Sequence, residues 1–584
     1  MISDASGVPD GSVLECDTCI VGGGPAGITV ALALAESSEK VLLIESGQWK
    51  EDPQARDLLR GHVWPDGSHE ELGENRRRQF GGSSVAWGGR CIPFDPIDFE
   101  YRPWIPNSGW PLSAEEVSSH MELATRICEV GRPVFDAAEA FPASQAEMIA
   151  SFDGPDARST LLERWSPPTN FARRYGPTLR KAQNVTVLLG ANAMAFSIGS
   201  SDRKVESVQV AVAPSHRFVV HAARFVLACG GLENARLLLA SKDVIAGGIG
   251  NETDRVGRYY MSHLAGIHAW ARLNDPGRDF MYEFARDGDV YVRRRIWITP
   301  QAQHRERMGN AIACFATPFH HESISGYPLA SATQLAKLAI GFRRKGRQAR
   351  LTYLRDNGRE ILRHMNTVAL GAPSLVPQVA EIVRQRYLSK RRLPILLPSK
   401  DMLKNRFELY YQTEHVPNPD SRVMLHPELD AFGMPRLEVR VAFSEQDVRT
   451  VLRLHAVIKE QFRKTATGDL VFDEEELEAG VRNKLQKFNS AAHHLGTTRM
   501  ADDPACGVVD RNCRVHGTEN LFVAGSSVFP TSGHANPTLT IVALALRLAR
   551  HIAGERGRLG HSSASPSERL PQTDAGGLGV FSIG

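Results

Sequence analysis

Few folds accommodate the run Gly22-Gly-Gly24-Pro-Ala-Gly27, which follows the apolar segment Thr18-Cys-Ile-Val21 without a break. Residues without a Cβ let the backbone turn sharply. They also let a diphosphate approach a helix N-terminus and let that helix lie close on the strand before it. Residues 28–35 follow at helical length, then Val41-Leu-Leu-Ile44. Strand, tight turn, helix and strand form the βαβ unit of a doubly wound α/β layer. The second strand ends on Glu45, where a carboxylate accepts hydrogen bonds from a ribose and repels a ribose 2′-phosphate. Gly22, Gly24, Gly27 and Glu45 are therefore expected to hold a dinucleotide. The fingerprint alone does not separate FAD from NAD.

Further α/β pieces come in separate blocks. Residues 184–189, 224–228 and 520–524 read as strands, 232–241 as a helix after a glycine pair, and 538–553 as a long apolar helix ended by Gly554. Between them, 95–180 and 270–485 are rich in aromatics, prolines and alternating stretches such as Arg406-Phe-Glu-Leu-Tyr-Tyr411. A chain of 584 residues exceeds what one core supports. The expected architecture is a discontinuous Rossmann-like α/β domain (14–95, 184–269, 486–556) with an inserted α+β domain on an antiparallel sheet (96–183, 270–485). Residues 557–584, rich in Gly and Ser, are expected to form a loose tail.

A formal net charge of +3 is too small for electrostatic binding of nucleic acid by the whole molecule. Of eight cysteines, only Cys16 and Cys19 make a CxxC pair. On a strand, residues three apart face opposite sides, so reduced structural thiols are expected rather than a disulfide or a metal site. The N-terminus lacks the apolar core of a secretory signal, and no run of about eighteen apolar residues is present. A cytoplasmic protein without a transmembrane segment is expected. The basic stretches 342–350 and 384–392 read as a solvated helical face, or as a docking surface for an acidic redox partner, an anionic lipid or an anionic substrate.

A second cluster, Gly81-Gly-Ser-Ser84 followed by Trp87, either contacts a diphosphate or flat ring or is an ordinary Gly-rich surface loop beside a core tryptophan. Ala228-Cys-Gly-Gly-Leu-Glu-Asn-Ala-Arg236, His493-His-Leu-Gly-Thr-Thr-Arg-Met500 and Asn536-Pro-Thr-Leu-Thr540 complete an ordered set. Together these segments resemble the glucose-methanol-choline (GMC) oxidoreductase family of flavoproteins, across nearly the whole chain. Gly-Thr-Thr-Arg-Met, Gly-His-Ala-Asn-Pro-Thr-Leu-Thr and the Ser-Gly-Trp-Pro at 108–111 are similar in style to its sugar-oxidising, pyranose-oxidase-like branch.

The resemblance implies FAD, with Gly81, Gly82, Ser83, Ser84, Trp87, Asn192, Ala228, Gly525, Ser526, Asn536, Pro537 and Thr538 also at the cofactor. It makes His493 the base and Asn536 its partner. His494 is the competitor, but successive side chains in an extended segment point apart. Ala86 stands where some relatives carry a histidine bonded to the flavin, so noncovalent FAD is expected. The implied reaction oxidises the CH–OH group of a small-molecule alcohol, a sugar, glycoside or polyol. Oxygen, a quinone or a redox protein then takes the electrons. Two other readings stay open, a flavoprotein lyase and a non-catalytic flavin-binding protein.

Overall fold

The computed structural model describes the chain except residues 36, 200–202, 276–279, 317–327, 344–346, 385–388, 390, 395–404, 489–491 and 560–584. Strand Val13–Val21 ends in four buried residues, and every residue of Val41–Glu45 is buried. Strands covered on both faces read as continuous apolar runs and belong in a parallel layer. The two pair in parallel, Thr18 against Val41, and the sheet continues through Val185–Leu189 to Ile2–Asp4. On its other side Val13–Val21 pairs with the long strand His216–Leu227. That strand changes neighbours along its length. Its first half pairs antiparallel with Val205–Ala213, which leads to Asn192–Ile198. Its last residues, Phe225 to Leu227, pair in parallel with Leu521–Val523.

Helix Pro25–Ala33 is buried from Ala26 to Leu32, as expected for a helix apolar all round. It shares one core with the sheet and with helix Thr538–Leu559.

A second sheet is antiparallel, in the order Gly468–Val471, His263–Leu273, Phe407–Glu414, Ala311–Ala316, Val290–Ile298, Ala157–Trp165, Arg90–Cys91. Alternation splits its faces. Leu409 and Tyr411 enter a core with Val451, Leu454 and Ile458 of helix Glu445–Thr465, which leaves Tyr410 and Gln412 for the opposite face.

Three details differ from the sequence reading. Arg90–Cys91 and the start of His263–Leu273 lie in the antiparallel sheet, although both fall in segments assigned to the parallel layer. A third, small sheet joins Gly61–Val63, Arg422–Leu429 and Pro435–Arg440. The last helix runs on to Leu559, past Gly554, so only the tail from 560 falls outside the described residues. The side chains of 343–350 and most of the 384–392 stretch also lie outside them. All eight cysteines are free.

Candidate active site

A cavity of about 680 Å³ opens where the two sheets meet. From the parallel layer it takes the carboxyl ends of the strands: Val21 with Gly22, Ile44 with Glu45, Ala228 with Cys229, and Ala524 with Gly525. Ligands of open α/β sheets bind at that edge. The antiparallel sheet contributes Arg90, Trp165, Tyr410 and Gln412.

The glycine turn is built by close approach. A Cβ on Gly22, at φ 111°, would stand 2.5 Å from the Ala228 carbonyl oxygen, and one on Gly27 would stand 2.0 Å from the Gly22 oxygen. Glu45 does more than line the cavity: its two oxygens accept the backbone amides of Gly23 at 2.6 Å and Gly47 at 2.7 Å. The carboxylate thus staples the turn to the second strand, and burial raises its pKa against those two bonds.

Gly22, Gly24, Gly82, Ser83, Ser84, Trp87, Ala228, Gly525, Ser526, Asn536, Pro537 and Thr538 all line the cavity. Gly27 and Gly81 support it from behind, Gly81 by donating its N–H to the Gly23 carbonyl at 2.8 Å. Trp87 is anchored through Nε1 to the Thr169 carbonyl. Asn192 is not brought in. Its amide donates to the Ala211 carbonyl at 3.2 Å, while its neighbours Ala191 and Ala193 line the wall. The register of the antiparallel pair turns position 192 away.

His493 and Asn536 meet although 43 residues apart: Asn536 Nδ2 lies 3.3 Å from His493 Nε2. The loop that carries Asn536 is held from beneath. Thr531 donates to the Asp98 carbonyl and accepts from Trp110 Nε1, and the His534 ring pairs with Asp95 at 2.8 Å. Burial, with the Arg90 charge adding to it, pushes the His493 pKa down to about 4, so its imidazole is neutral at physiological pH. His494 lines the same cavity, against the expectation that only one of the pair faces it. The two rings have different neighbours: that of His493 meets His263 edge-on with centroids 4.8 Å apart, and that of His494 stacks toward Tyr260 at 6.1 Å.

Three neighbours of the pair were not legible as site residues. His263 Nδ1 lies 2.7 Å from His493 Nδ1. Gln412 Nε2 bonds the His534 carbonyl and lies 3.3 Å from Asn536 Oδ1. Arg90 bonds Glu163 and reaches Gln412 Oε1 at 3.3 Å. Each belongs to a strand of the antiparallel sheet, where no local motif singles it out.

Known proteins give this geometry a context. Residues 417–545 match the family described as GMC oxidoreductase. The chain is 24% identical to paromamine 6′-oxidase of Streptomyces fradiae, over 92% of this chain and 91% of that protein. It is 39% identical to C-glycoside 3-oxidase of Microbacterium trichothecenolyticum over 22% of this chain and 23% of that one. A solved structure of formate oxidase shares the fold, with TM-score 0.51 and 17% identity over 94% of this chain and 100% of that chain. Over its C-terminal part, residues 417–545, the chain is thus similar to the GMC oxidoreductases.

Proposed function

We propose that this protein is an FAD-dependent enzyme that oxidises a CH–OH group of a sugar, glycoside or polyol to a carbonyl, with His493 as the base. The observation that carries the reading is the contact between His493 Nε2 and Asn536 Nδ2 at the end of a cavity that begins on a dinucleotide-type turn. Similarity to proteins named as oxidases of paromamine and of C-glycosides supports a carbohydrate substrate.

The residues present fit FAD. A glycine turn whose Cβ positions are filled by neighbouring backbone leaves the helix N-terminus open to a diphosphate. The Gly82 to Ser84 loop and Trp87 flank the path from there to His493. In this reading the parallel layer holds the cofactor, and the antiparallel sheet, which includes Arg90 and His263, covers the substrate. Ala86 offers no nucleophile, so attachment is noncovalent. Bound FAD supplies the hydride acceptor.

The protein's part is proton management. Hydride leaves a carbinol carbon as its hydroxyl loses a proton, and the Nε2 lone pair of neutral His493 receives that proton. Asn536 Nδ2 donates to the same oxygen as negative charge gathers on it, and Gln412 holds the amide in place beforehand. Oxygen, a quinone or a redox protein then removes the electrons.

Among the described residues no helix is long and apolar enough to cross a membrane. Eight free thiols support a cytoplasmic location. Anaerobic mixing of the FAD-loaded protein with sugars, glycosides and polyols tests the reading, with bleaching of the visible flavin band expected for at least one. Turnover with a redox-silent flavin would favour a lyase, and no reaction with any alcohol would remove the catalytic reading.

A further inference from the structure

We infer that His263 is a positioning residue that fixes the tautomer of His493, so that its Nε2 is bare and faces the substrate. This rests on the proposed role of His493. It follows from a chain of hydrogen bonds with only one consistent placement of protons.

The chain begins at the Ser532 carbonyl, which can only accept. His263 Nε2 lies 3.2 Å from that oxygen, so this nitrogen carries the hydrogen. A neutral imidazole has one N–H, and His263 Nδ1 therefore presents a lone pair. His493 Nδ1, 2.7 Å away, must be the donor. Its own single hydrogen is then used, and Nε2 is left as the acceptor.

An independent chain reaches the same atom from the other side. Gln412 turns its NH₂ toward two acceptors, the His534 carbonyl and Asn536 Oδ1. Its Oε1 accepts from Arg90 Nη1 at 3.3 Å. Asn536 thus directs Oδ1 at Gln412 and Nδ2 at His493 Nε2, and a donor in that position matches a bare nitrogen. Burial and the adjacent His493 hold His263 well below the ordinary histidine pKa, which keeps it neutral.

The inverse arrangement, with the hydrogen on His493 Nε2, would place two donors face to face and leave the substrate hydroxyl without a base. Partners of this kind fix which ring nitrogen is basic. His263 is 2% exposed and does not itself line the cavity, whereas His493 does.

The test uses the FAD-loaded protein and two variants. With the best carbohydrate from the panel, H263L should slow the limiting rate of flavin reduction about tenfold or more and leave the apparent affinity for that carbohydrate unchanged. H263Q, whose Oε1 can accept from His493 Nδ1, should recover most of that rate. The ¹⁵N spectrum of histidine-labelled wild type, with the His493 signals assigned by their loss in H493A, should show a protonated Nδ1 and an unprotonated Nε2. A proton on Nε2 overturns the inference, as does an H263L enzyme with the wild-type limiting rate. If H263L fails to fold, the wild-type spectrum alone decides. If no carbohydrate reduces the flavin, the functional reading fails while the spectrum still tests the tautomer.

Discussion

At the scale of single residues, the proposed reaction has His493 and Asn536 act on one substrate oxygen but do different work. H493A should slow flavin reduction about a thousandfold, within the usual range of general-base catalysis, with FAD content unchanged. N536A should cost about a hundredfold, the loss expected for one preorganised donor. Rapid-mixing reduction experiments measure both. A His493 pKa near 4 sets the pH dependence: the protonated ring cannot accept, so the reduction rate should be flat from about pH 6 to 8 and fall below about pH 5. An inflection near 6.5 in the wild type would mean that His493 is not held in its buried, depressed state. Both residues were legible because each sits in a short motif whose residue types are tied to local backbone shape. His263 and Gln412 were not. They lie inside strands, and their role arises only when the antiparallel sheet packs against the 531–536 loop, a contact between distant segments that no spacing reveals.

Among the elements, the glycine turn and the helix Glu445–Thr465 make separate demands. G27A would drive a Cβ to 2.0 Å from the Gly22 carbonyl oxygen, so either the helix lifts off the strand or the turn opens. Overpacking of this kind typically costs 1–3 kcal/mol, so a loss of about 2 kcal/mol is expected, together with weaker FAD retention, read by urea unfolding and by flavin content after gel filtration. His455 in the helix is fully buried, donates Nδ1–H to the Val451 carbonyl at 2.8 Å and has no hydrogen-bond partner for Nε2 among the described residues. Burial pushes its pKa down to about 4, while the unfolded chain takes up a proton near 6.5. The unfolded state therefore binds more protons between those values, and stability should fall as pH drops from about 6.5 toward 4. Roughly 2 kcal/mol should be gone at pH 5, and H455L should flatten that part of the urea-midpoint profile. The parallel strands were readable because burial on both faces leaves a continuous apolar run. The boundaries between the sheets were less so, since Arg90–Cys91 is too short to show alternation.

For the whole molecule, the cavity is where the layers meet, so its occupant is coupled to the stability of both. FAD in thousandfold excess over its dissociation constant should add about 4 kcal/mol. Removing it should lower the melting temperature of the entire cooperative unit rather than of one layer. Acid precipitation should release all the yellow colour, because Ala86 gives no covalent tether. Colour left in the pellet would contradict that.

The long strand His216–Leu227 has a consequence for biosynthesis. Val13 cannot find Val219 until roughly two hundred more residues have been translated, about 10–40 s at ribosomal speed. Leu227 then waits for Val523, nearly three hundred residues later still. Throughout that interval the nascent polypeptide carries an apolar strand with open hydrogen-bonding edges, a state prone to aggregation. Release short of residue 521 should yield an insoluble product, and slowing elongation should increase the demand for holdase chaperones. Both are measurable by fractionating stalled and truncated chains.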